Sequence, residues 1–261
     1  MTSTPAPLRT DAPIALITGS ALRVGAVIAD TLHARGWTVL IHYRRSEAEA
    51  CALTDRLNAH RPASAQAVQA DLNRPEAPEH LAAKVLALTG GRLDGLVNNA
   101  SSFYPTPVGT ATLAHWDDLF ASNARAPYFL SQSLAPALRA ARGGIVSIVD
   151  IHAERPFRDH PVYCMAKAAL AMMTKALAKD LAPEVRVNGV SPGAILWPDP
   201  DSPSAIPDAV QTQILDGIPL GRLGAPQDIA GAVAFLLADA PYISGQILAV
   251  DGARLTTLGA E

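Results

Sequence analysis

Short apolar runs rich in β-favouring residues alternate with longer Ala-rich, helix-favouring segments along most of the chain. Several runs are apolar throughout, which is typical of strands covered on both faces of a parallel sheet. The predicted strands are 14–18, 37–41, 65–70, 93–99, 143–150, 185–190 and 246–251. The pattern predicts an α/β fold, doubly wound, with a mainly seven-stranded parallel sheet.

The 261 residues fit a single domain over 1–261, because sheets of this kind reach that length without splitting. Residues 1–12 are predicted to be a loose N-terminal tail. The Pro-rich stretch "SPGAILWPDPDSPSAIP" follows a predicted strand, at the end of the sheet where such folds bind ligands. We therefore interpret 191–225 as a substrate lid, with a plain surface loop as the alternative.

The formal net charge of -3 and the pI of about 6.2 give no overall field that favours nucleic acid or anionic lipid. The first residues lack the apolar core of a signal peptide, and no apolar run is long enough to span a bilayer. Two cysteines are too few for a disulfide framework, and no CxxC or HxxxH spacing indicates a metal site. We expect a soluble, cytoplasmic protein with no metal, nucleic-acid or membrane partner.

A glycine turn, "TGSALRVG", follows the first predicted strand and opens a helix. This arrangement presents free backbone N–H groups to a pyrophosphate. Gly19 and Gly25 occupy tight points of the turn, but the bulky cation Arg23 stands between them. Arg23 either faces solvent or contacts a bound anion.

The end of the second predicted strand indicates the type of cofactor. An NAD site places an acid there, whereas a 2′-phosphate favours arginine. This chain reads "HYRRSEAE", with Arg44 and Arg45. A guanidinium matches a phosphate, and the helix dipole otherwise disfavours cations at a helix N-terminus. We predict an NADPH site; the alternatives are a solvated charge pair and, for Ser46, a capping box with Glu49.

The stretch "YCMAK" places Tyr163 and Lys167 on one face of a helix that follows a predicted strand. A nearby cation is expected to lower the pKa of the tyrosine, so that the pair can transfer a proton. A surface pair is the alternative reading, but the upstream glycine turn argues against it. The helix over 163–179 is small and apolar on most sides, which predicts self-association.

These features, with "NNA" (98–100), Asn123, "SPG" (191–193) and "VDG" (250–252), resemble the short-chain dehydrogenase/reductase family over nearly the whole chain. The resemblance implies a Rossmann-type domain that is commonly tetrameric, so we expect a homotetramer. It also implies that Tyr163 donates a proton, Lys167 holds the nicotinamide ribose and Asn123 anchors a water relay. Pro127 lacks an N–H, so in a regular helix the carbonyl of Asn123 has no i+4 partner and could hold that water.

The chain departs from the family at the fourth catalytic position. The usual serine, thirteen residues before the tyrosine, is Asp150 here, and Ser147 lies three residues short. A carboxylate cannot donate to a ketone oxygen and repels the negative charge that develops on it. In a C=N bond the nitrogen must gain a proton, which a nearby anion favours. Asp150 therefore predicts an imine-like heterocycle, with protons relayed from water; an inactive protein with a structural aspartate is the alternative.

Within the family, the chain most resembles the pteridine reductases and bacterial dihydromonapterin reductases, through "TGSALRVG", "HYRRSEAEA", "NNASSFYPTP" and Asp150. This likeness implies that Phe103 stacks on a pterin, and that Ser101 and Arg23 contact both the cofactor phosphates and the pterin edge. Asp71 would lie near the adenine or merely cap a turn. The implied cofactor-binding residues are Gly19, Arg23, Val24, Gly25, Tyr43, Arg44, Arg45, Ser46, Asp71, Leu72, Asn99, Ala100, Ser101, Lys167, Pro192 and Gly193.

The leading hypothesis is an NADPH-dependent enzyme that reduces the N5=C6 bond of a dihydropterin or dihydrofolate. The substrate would be dihydromonapterin, dihydrobiopterin or dihydrofolate. The predicted substrate contacts are Arg23, Ser101, Phe103, Asp150 and Tyr163. A carbonyl reductase for 3-oxoacyl thioesters and a non-catalytic NADPH sensor that binds partner proteins are the alternatives.

Overall fold

Seven parallel strands form one sheet in the order β3-β2-β1-β4-β5-β6-β7. The structure is a computed structural model that describes residues 8–198, 200–201 and 205–257. The strands are fully buried near the centre of the sheet, as their apolar sequences predict. Their bounds are β1 Ile14–Ile17, β2 Thr38–Tyr43, β3 Ala65–Gln69, β4 Gly95–Asn98, β5 Gly144–Ile148, β6 Arg186–Pro192 and β7 Ile247–Val250.

Helices cover both faces of the sheet. Helices α1, α2 and α8 contribute to the core on one face, and α3, α5 and α6 to the core on the other. A π-helical turn leads into α5, and another follows α8. The helices are α1 Arg23–Ala34, α2 Glu47–His60, α3 Ala77–Leu88, α4 Leu113–Phe120, α5 Ala126–Ala141, α6 Pro161–Asp180, α7 Asp208–Asp216 and α8 Pro226–Ala234.

The predicted doubly wound α/β fold is confirmed, and every predicted strand is present with small shifts at its ends. The predicted tail over 1–12 lies partly outside the described residues. The part that is described is packed rather than loose: Leu8 is buried in the core, and the Arg9 N–H donates to the carbonyl of Ala63 at 2.8 Å. The first two residues of the predicted lid over 191–225 belong to β6. The helix α7 also lies within this predicted segment.

The order of the strands changes direction between β1 and β4. From β1 the chain adds β2 and β3 on one side of the sheet and then β4 to β7 on the other side, so β1 and β4 are neighbours. Crevices at such a reversal, beyond the carboxyl ends of the strands, are where open α/β sheets bind ligands. The glycine turn leaves β1 and the segment from Asn99 leaves β4 at this place. The topology therefore brings the two most distinctive motifs of the sequence together.

Close packing explains the two glycines of the turn. Gly19 has φ +62°, a backbone conformation that glycine adopts without strain. At Gly25 a Cβ atom would lie 2.4 Å from the carbonyl oxygen of Gly19 and 2.6 Å from Nδ2 of Asn99, so no side chain fits. Asn99 Nδ2 donates to the carbonyls of Thr18 and Gly19, at 2.8 and 2.9 Å, and holds the turn against β4.

A buried histidine holds the same turn from the other side. Nδ1 of His42, at the end of β2, accepts the Gly19 N–H at 3.0 Å, and its Nε2 donates to the carbonyl of Ala70 at 3.2 Å. Only the neutral ring can accept at Nδ1. Burial lowers the pKa of His42 to about 4, which keeps the ring neutral over the physiological range.

We predict that His42 makes folding stability depend on pH in a defined direction. Between pH 6.5 and about 4 the unfolded chain protonates His42 and the folded chain does not, so stability falls as pH falls through this window. The contribution is about 3 kcal/mol at its limit. Urea unfolding of wild type and His42→Asn at several pH values measures it.

The variant removes the histidine but keeps a short polar acceptor. Its free energy of unfolding is expected to be lower at pH 7 and to fall less steeply with acidification than that of the wild type. His33 and His160 also have lowered pKa values, but they titrate in both proteins and cancel in the difference. Parallel pH profiles for the two proteins would contradict this role of His42.

Candidate active site

A cavity of about 450 Å³ opens at the carboxyl ends of β1, β2 and β4. Its wall combines the glycine turn, the end of β2 and the segment that follows β4. Most of the residues predicted to bind the cofactor are among its lining: Gly19, Arg23, Val24, Gly25, Tyr43, Arg44, Arg45, Ser46, Leu72, Asn99, Ala100 and Ser101.

The N-terminus of α1 faces this cavity without a side-chain cap. The N-cap residue Leu22 offers no hydrogen bond, and the first turn holds no acidic residue. The first N–H groups of a helix and the positive end of its dipole suit an anion. The chemistry of this wall therefore fits a phosphate.

Arg23 adopts φ +55°, a conformation that L-residues other than Asn and Asp rarely take. Backbone strain of this kind costs on the order of 1 kcal/mol and is found mainly at functional sites. The Arg23 guanidinium donates to the carbonyl of Trp197 at 3.3 Å, which links the glycine turn to the segment after β6.

The end of β2 presents two exposed guanidiniums, those of Arg44 and Arg45, to the same cavity. Within the described residues neither of them forms an ion pair. Ser46 is the N-cap of α2, as the sequence indicates, but its side chain makes no capping hydrogen bond. The predicted alternative of a capping box with Glu49 is wrong.

Four predicted cofactor residues lie outside the lining of this first cavity. Asp71 Oδ1 accepts the N–H of Asn73 at 3.2 Å and so caps a turn, which was the simpler interpretation. Pro192 ends β6, and Gly193 lines a second cavity. Lys167 is buried and points to the backbone of β5, as described below.

The second cavity, of about 480 Å³, adjoins the first and shares Arg23 and Ser101 with it. All five residues predicted to contact the substrate line it: Arg23, Ser101, Phe103, Asp150 and Tyr163. Residues 193–198, Ile206 and Ile214 form the opposite, mainly apolar wall. The predicted lid segment therefore borders the cavity that contains the candidate catalytic groups.

The hydroxyl of Tyr163 donates a hydrogen bond to Oδ2 of Asp150 at 2.7 Å. Oδ1 of Asp150 accepts the N–H of His152 at 2.9 Å, which makes Asp150 the N-cap of the 3-10 turn Ile151–Ala153. Each carboxylate oxygen thus has a donor that fixes its direction. The side chain of Ser147 is fully buried and does not line the cavity, so it does not replace a missing serine.

The electrostatics of the tyrosine differ from the expectation. Burial and the neighbouring Asp150 carboxylate raise the pKa of Tyr163 well above its ordinary value, whereas a lowered pKa was predicted. The physical reason is that the carboxylate contacts the phenol directly, while Nζ of Lys167 lies 5.6 Å from the ring centroid and donates to the carbonyl of Ile148 at 2.9 Å. Burial lowers the pKa of Lys167 to about 8.

Asn123 lies in the π-helical turn Ala121–Arg125, so the regular helix assumed for its free carbonyl is not present. Its buried side chain joins two segments instead. Oδ1 accepts the Ser101 hydroxyl at 2.7 Å, and Nδ2 donates to the carbonyls of Ser102 and Leu119, each at 3.0 Å. Asn123 thereby positions Ser101 between the two cavities.

Three aromatic side chains that the sequence did not point to lie around Phe103: His152, Phe157 and His160. Phe103 stacks on His160 with ring centroids 4.7 Å apart, and its edge meets Tyr163 at 4.9 Å. Phe157 packs between His152 and His160. No short motif marks these residues, because only the folded loop after β5 brings them to Phe103.

In the part of the chain that the structure describes, no helix is both long and apolar enough to cross a membrane. Among the same residues, no three His, Cys, Asp or Glu side chains form a group that could hold a metal ion.

Comparison with known proteins agrees with this geometry. Residues 19–253 match a family model described as Enoyl-(Acyl carrier protein) reductase. Pteridine reductase 1 of Leishmania tarentolae is 40% identical over 281 aligned positions, which cover 92% of this chain and 96% of the relative. The 3-oxoacyl-(acyl-carrier-protein) reductase FabG of Escherichia coli K12 is 35% identical over 242 positions, covering 92% and 96%.

The match to the family model covers β2 to β7 and all residues that line the two cavities except Arg254; β1 and Arg254 lie just outside the matched range. Both relatives are aligned over nearly their whole lengths, so the likeness extends beyond the glycine turn to the catalytic end. With its seven parallel strands, with Tyr163 at the second cavity and with the buried Lys167 one turn further along α6, the chain belongs to the short-chain dehydrogenase/reductase family of oxidoreductases.

Proposed function

We propose that the protein is an NADPH-dependent pteridine reductase, which reduces the C=N bond of a 7,8-dihydropterin or dihydrofolate to the tetrahydro form. The observation that carries the proposal is the hydrogen bond from Tyr163 to the carboxylate of Asp150, in a cavity that also contains Phe103. The 40% identity to a pteridine reductase supports it.

The donors of the first cavity fit NADPH. The uncapped N-terminus of α1 suits the pyrophosphate, and the guanidiniums of Arg44 and Arg45, which form no ion pair within the described residues, suit a 2′-phosphate. Bound there, the cofactor supplies a hydride to the carbon of the C=N bond. Arg23 and Ser101, which line both cavities, would contact cofactor and substrate together.

The proton is the part of the reaction that this chain's own residues control. A raised pKa keeps the phenol of Tyr163 protonated at neutral pH, as a proton donor in the reductive direction requires. The Asp150 carboxylate accepts from that phenol and would accept the N–H that forms at the ring nitrogen. Water can replace the proton on the phenol afterwards. Asn123 accepts the hydroxyl of Ser101, and we propose that it positions this hydroxyl beside the groups that transfer the proton.

A ketone fits the same residues less well. Its oxygen becomes negative as hydride arrives, and an anion at hydrogen-bond distance from the donating phenol would oppose that charge. The FabG relatives make a carbonyl reductase the nearest rival. Phe103 also favours a flat heterocycle, because aromatic stacking adds roughly 0.5–1.5 kcal/mol beyond burial.

Self-association is part of the proposal. Large apolar side chains are exposed on the outer surfaces of α4 and α6, including Leu113 at 84% and Met172 at 65% exposure. Trp116 and Met165 are also exposed on these helices. Apolar surface of this kind is typical of contacts between subunits, and we propose a homotetramer.

The proposed activity predicts which substrates support NADPH oxidation. We expect turnover with 7,8-dihydrobiopterin, 7,8-dihydromonapterin or 7,8-dihydrofolate, and little with acetoacetyl thioesters or quinones. Tyr163→Phe keeps the ring but removes the proton, so kcat should fall about 10²–10⁴-fold. The absorbance of NADPH follows the reaction.

Turnover of ketones without turnover of pterins would favour the carbonyl reductase. NADPH binding without oxidation across the whole panel would favour the sensor. Either result removes the pteridine reductase from consideration.

The arginine pair predicts the cofactor preference. Replacing both Arg44 and Arg45 by Ala removes charge-assisted hydrogen bonds worth about 1.5–3 kcal/mol each, so KM for NADPH should rise at least tenfold. KM for NADH should change little. A matched control, Lys84→Ala with Lys179→Ala, removes two exposed charges elsewhere. Equal effects on NADPH and NADH would show that the arginines do not recognise the 2′-phosphate.

A further inference from the structure

Arg254 is a buried cation whose role the proposed mechanism leaves open. It begins the 3-10 turn Arg254–Thr256 after β7, is only 7% exposed and lines the second cavity beside Asp150 and Tyr163. Unlike Arg23, it does not line the cofactor cavity. Its charge is therefore available to the substrate and not to the cofactor.

The guanidinium of Arg254 has no hydrogen bond within the described residues, and its Nε is both buried and unpartnered. Burying a charged group without partners is costly, and the pKa of Arg254 is lowered by that burial. Arginine stays protonated in proteins, so the positive charge remains in the cavity wall.

The two neighbouring carboxylates already have other donors. Asp251 accepts the N–H groups of Ala253 and Leu255, at 2.9 and 2.7 Å, and so holds the turn that carries Arg254. Asp150 accepts from Tyr163 and from His152. Both acids favour the charged form of Arg254 at a distance, but neither forms an ion pair with it.

We propose that Arg254 binds an anionic group, a carboxylate or a phosphate, on the side chain of the substrate. Arg254 then determines which dihydropterins the enzyme prefers, and an acidic side chain is favoured over a neutral one. This inference rests on the proposed function. Ile195, Leu196 and Ile214 make one wall of this cavity apolar, and among the described residues Arg23 and Arg254 are the arginine or lysine side chains that line it.

The test compares substrates that share the ring and differ in charge: 7,8-dihydrofolate with its carboxylates, a phosphate ester of 7,8-dihydroneopterin, and neutral 7,8-dihydrobiopterin. In Arg254→Met, kcat/KM for the preferred anionic substrate should fall at least tenfold, mainly through KM. For the neutral substrate the loss of kcat/KM should be several-fold smaller, because only the shared effect of the missing charge on Asp150 remains. Arg254→Lys should retain part of the preference. The anionic substrate whose kcat/KM falls most shows whether Arg254 binds a carboxylate or a phosphate.

Stability gives a second readout that does not depend on turnover. Without ligand, Arg254→Met should melt at a higher temperature than the wild type, because an unpaired buried charge is removed. Arg186→Met is the matched control: Arg186 is partly buried, but its guanidinium donates to the carbonyls of Leu237 and Ala240 at 2.7 and 3.1 Å. That variant should melt at a lower temperature. Added folate should raise the melting temperature of the wild type more than that of Arg254→Met.

Equal losses for neutral and anionic substrates, or a wild type that prefers the neutral one, would overturn the inference while the pteridine reductase activity stands. Failure of every dihydropterin would instead remove the proposed function. In that event an equal folate-induced shift in wild type and Arg254→Met would overturn the anion site as well.

Discussion

The proposed chemistry depends on one hydrogen bond, from the phenol of Tyr163 to the carboxylate of Asp150. Asp150 places a charged acceptor where the resemblance to the family implies a neutral hydroxyl donor. The carboxylate keeps the phenol protonated and opposes negative charge beside it. On the proposed function, a C=N bond suits this arrangement better than a ketone, because its nitrogen can be protonated before the hydride arrives and then carries no negative charge.

The sheet supplies the rigidity that this contact needs. Asp150 follows β5 and caps a short turn, and Tyr163 is carried by α6, so both groups stand on well-packed elements. At the neighbouring strand ends, His42 and Asn99 hold the glycine turn. The strained backbone of Arg23 is then maintained by its surroundings, and its side chain joins the two cavities.

The sequence predicted the fold well because apolar strands and Ala-rich helices are local patterns. It also predicted the residues of both cavities where a motif marks them, as at Phe103 and Arg44. It could not predict the raised pKa of Tyr163, since that depends on burial and on which charge lies nearer in the folded protein. The sequence did not predict roles for Arg254 and His42 for the same reason. Neither residue lies in a recognisable motif, and only the fold places each of them at a cavity.

Replacement of Asp150 by Ser tests the central claim most directly, with Asp150→Asn as a control of similar shape. We expect Asp150→Ser to reduce kcat/KM for a dihydropterin about 10²-fold or more while kcat/KM for an acetoacetyl thioester stays equal or rises. Asp150→Asn should also lose pterin turnover, but it supplies no hydroxyl donor, so kcat/KM for the acetoacetyl thioester should not rise. Undiminished pterin reduction by Asp150→Ser would contradict the role assigned to the carboxylate.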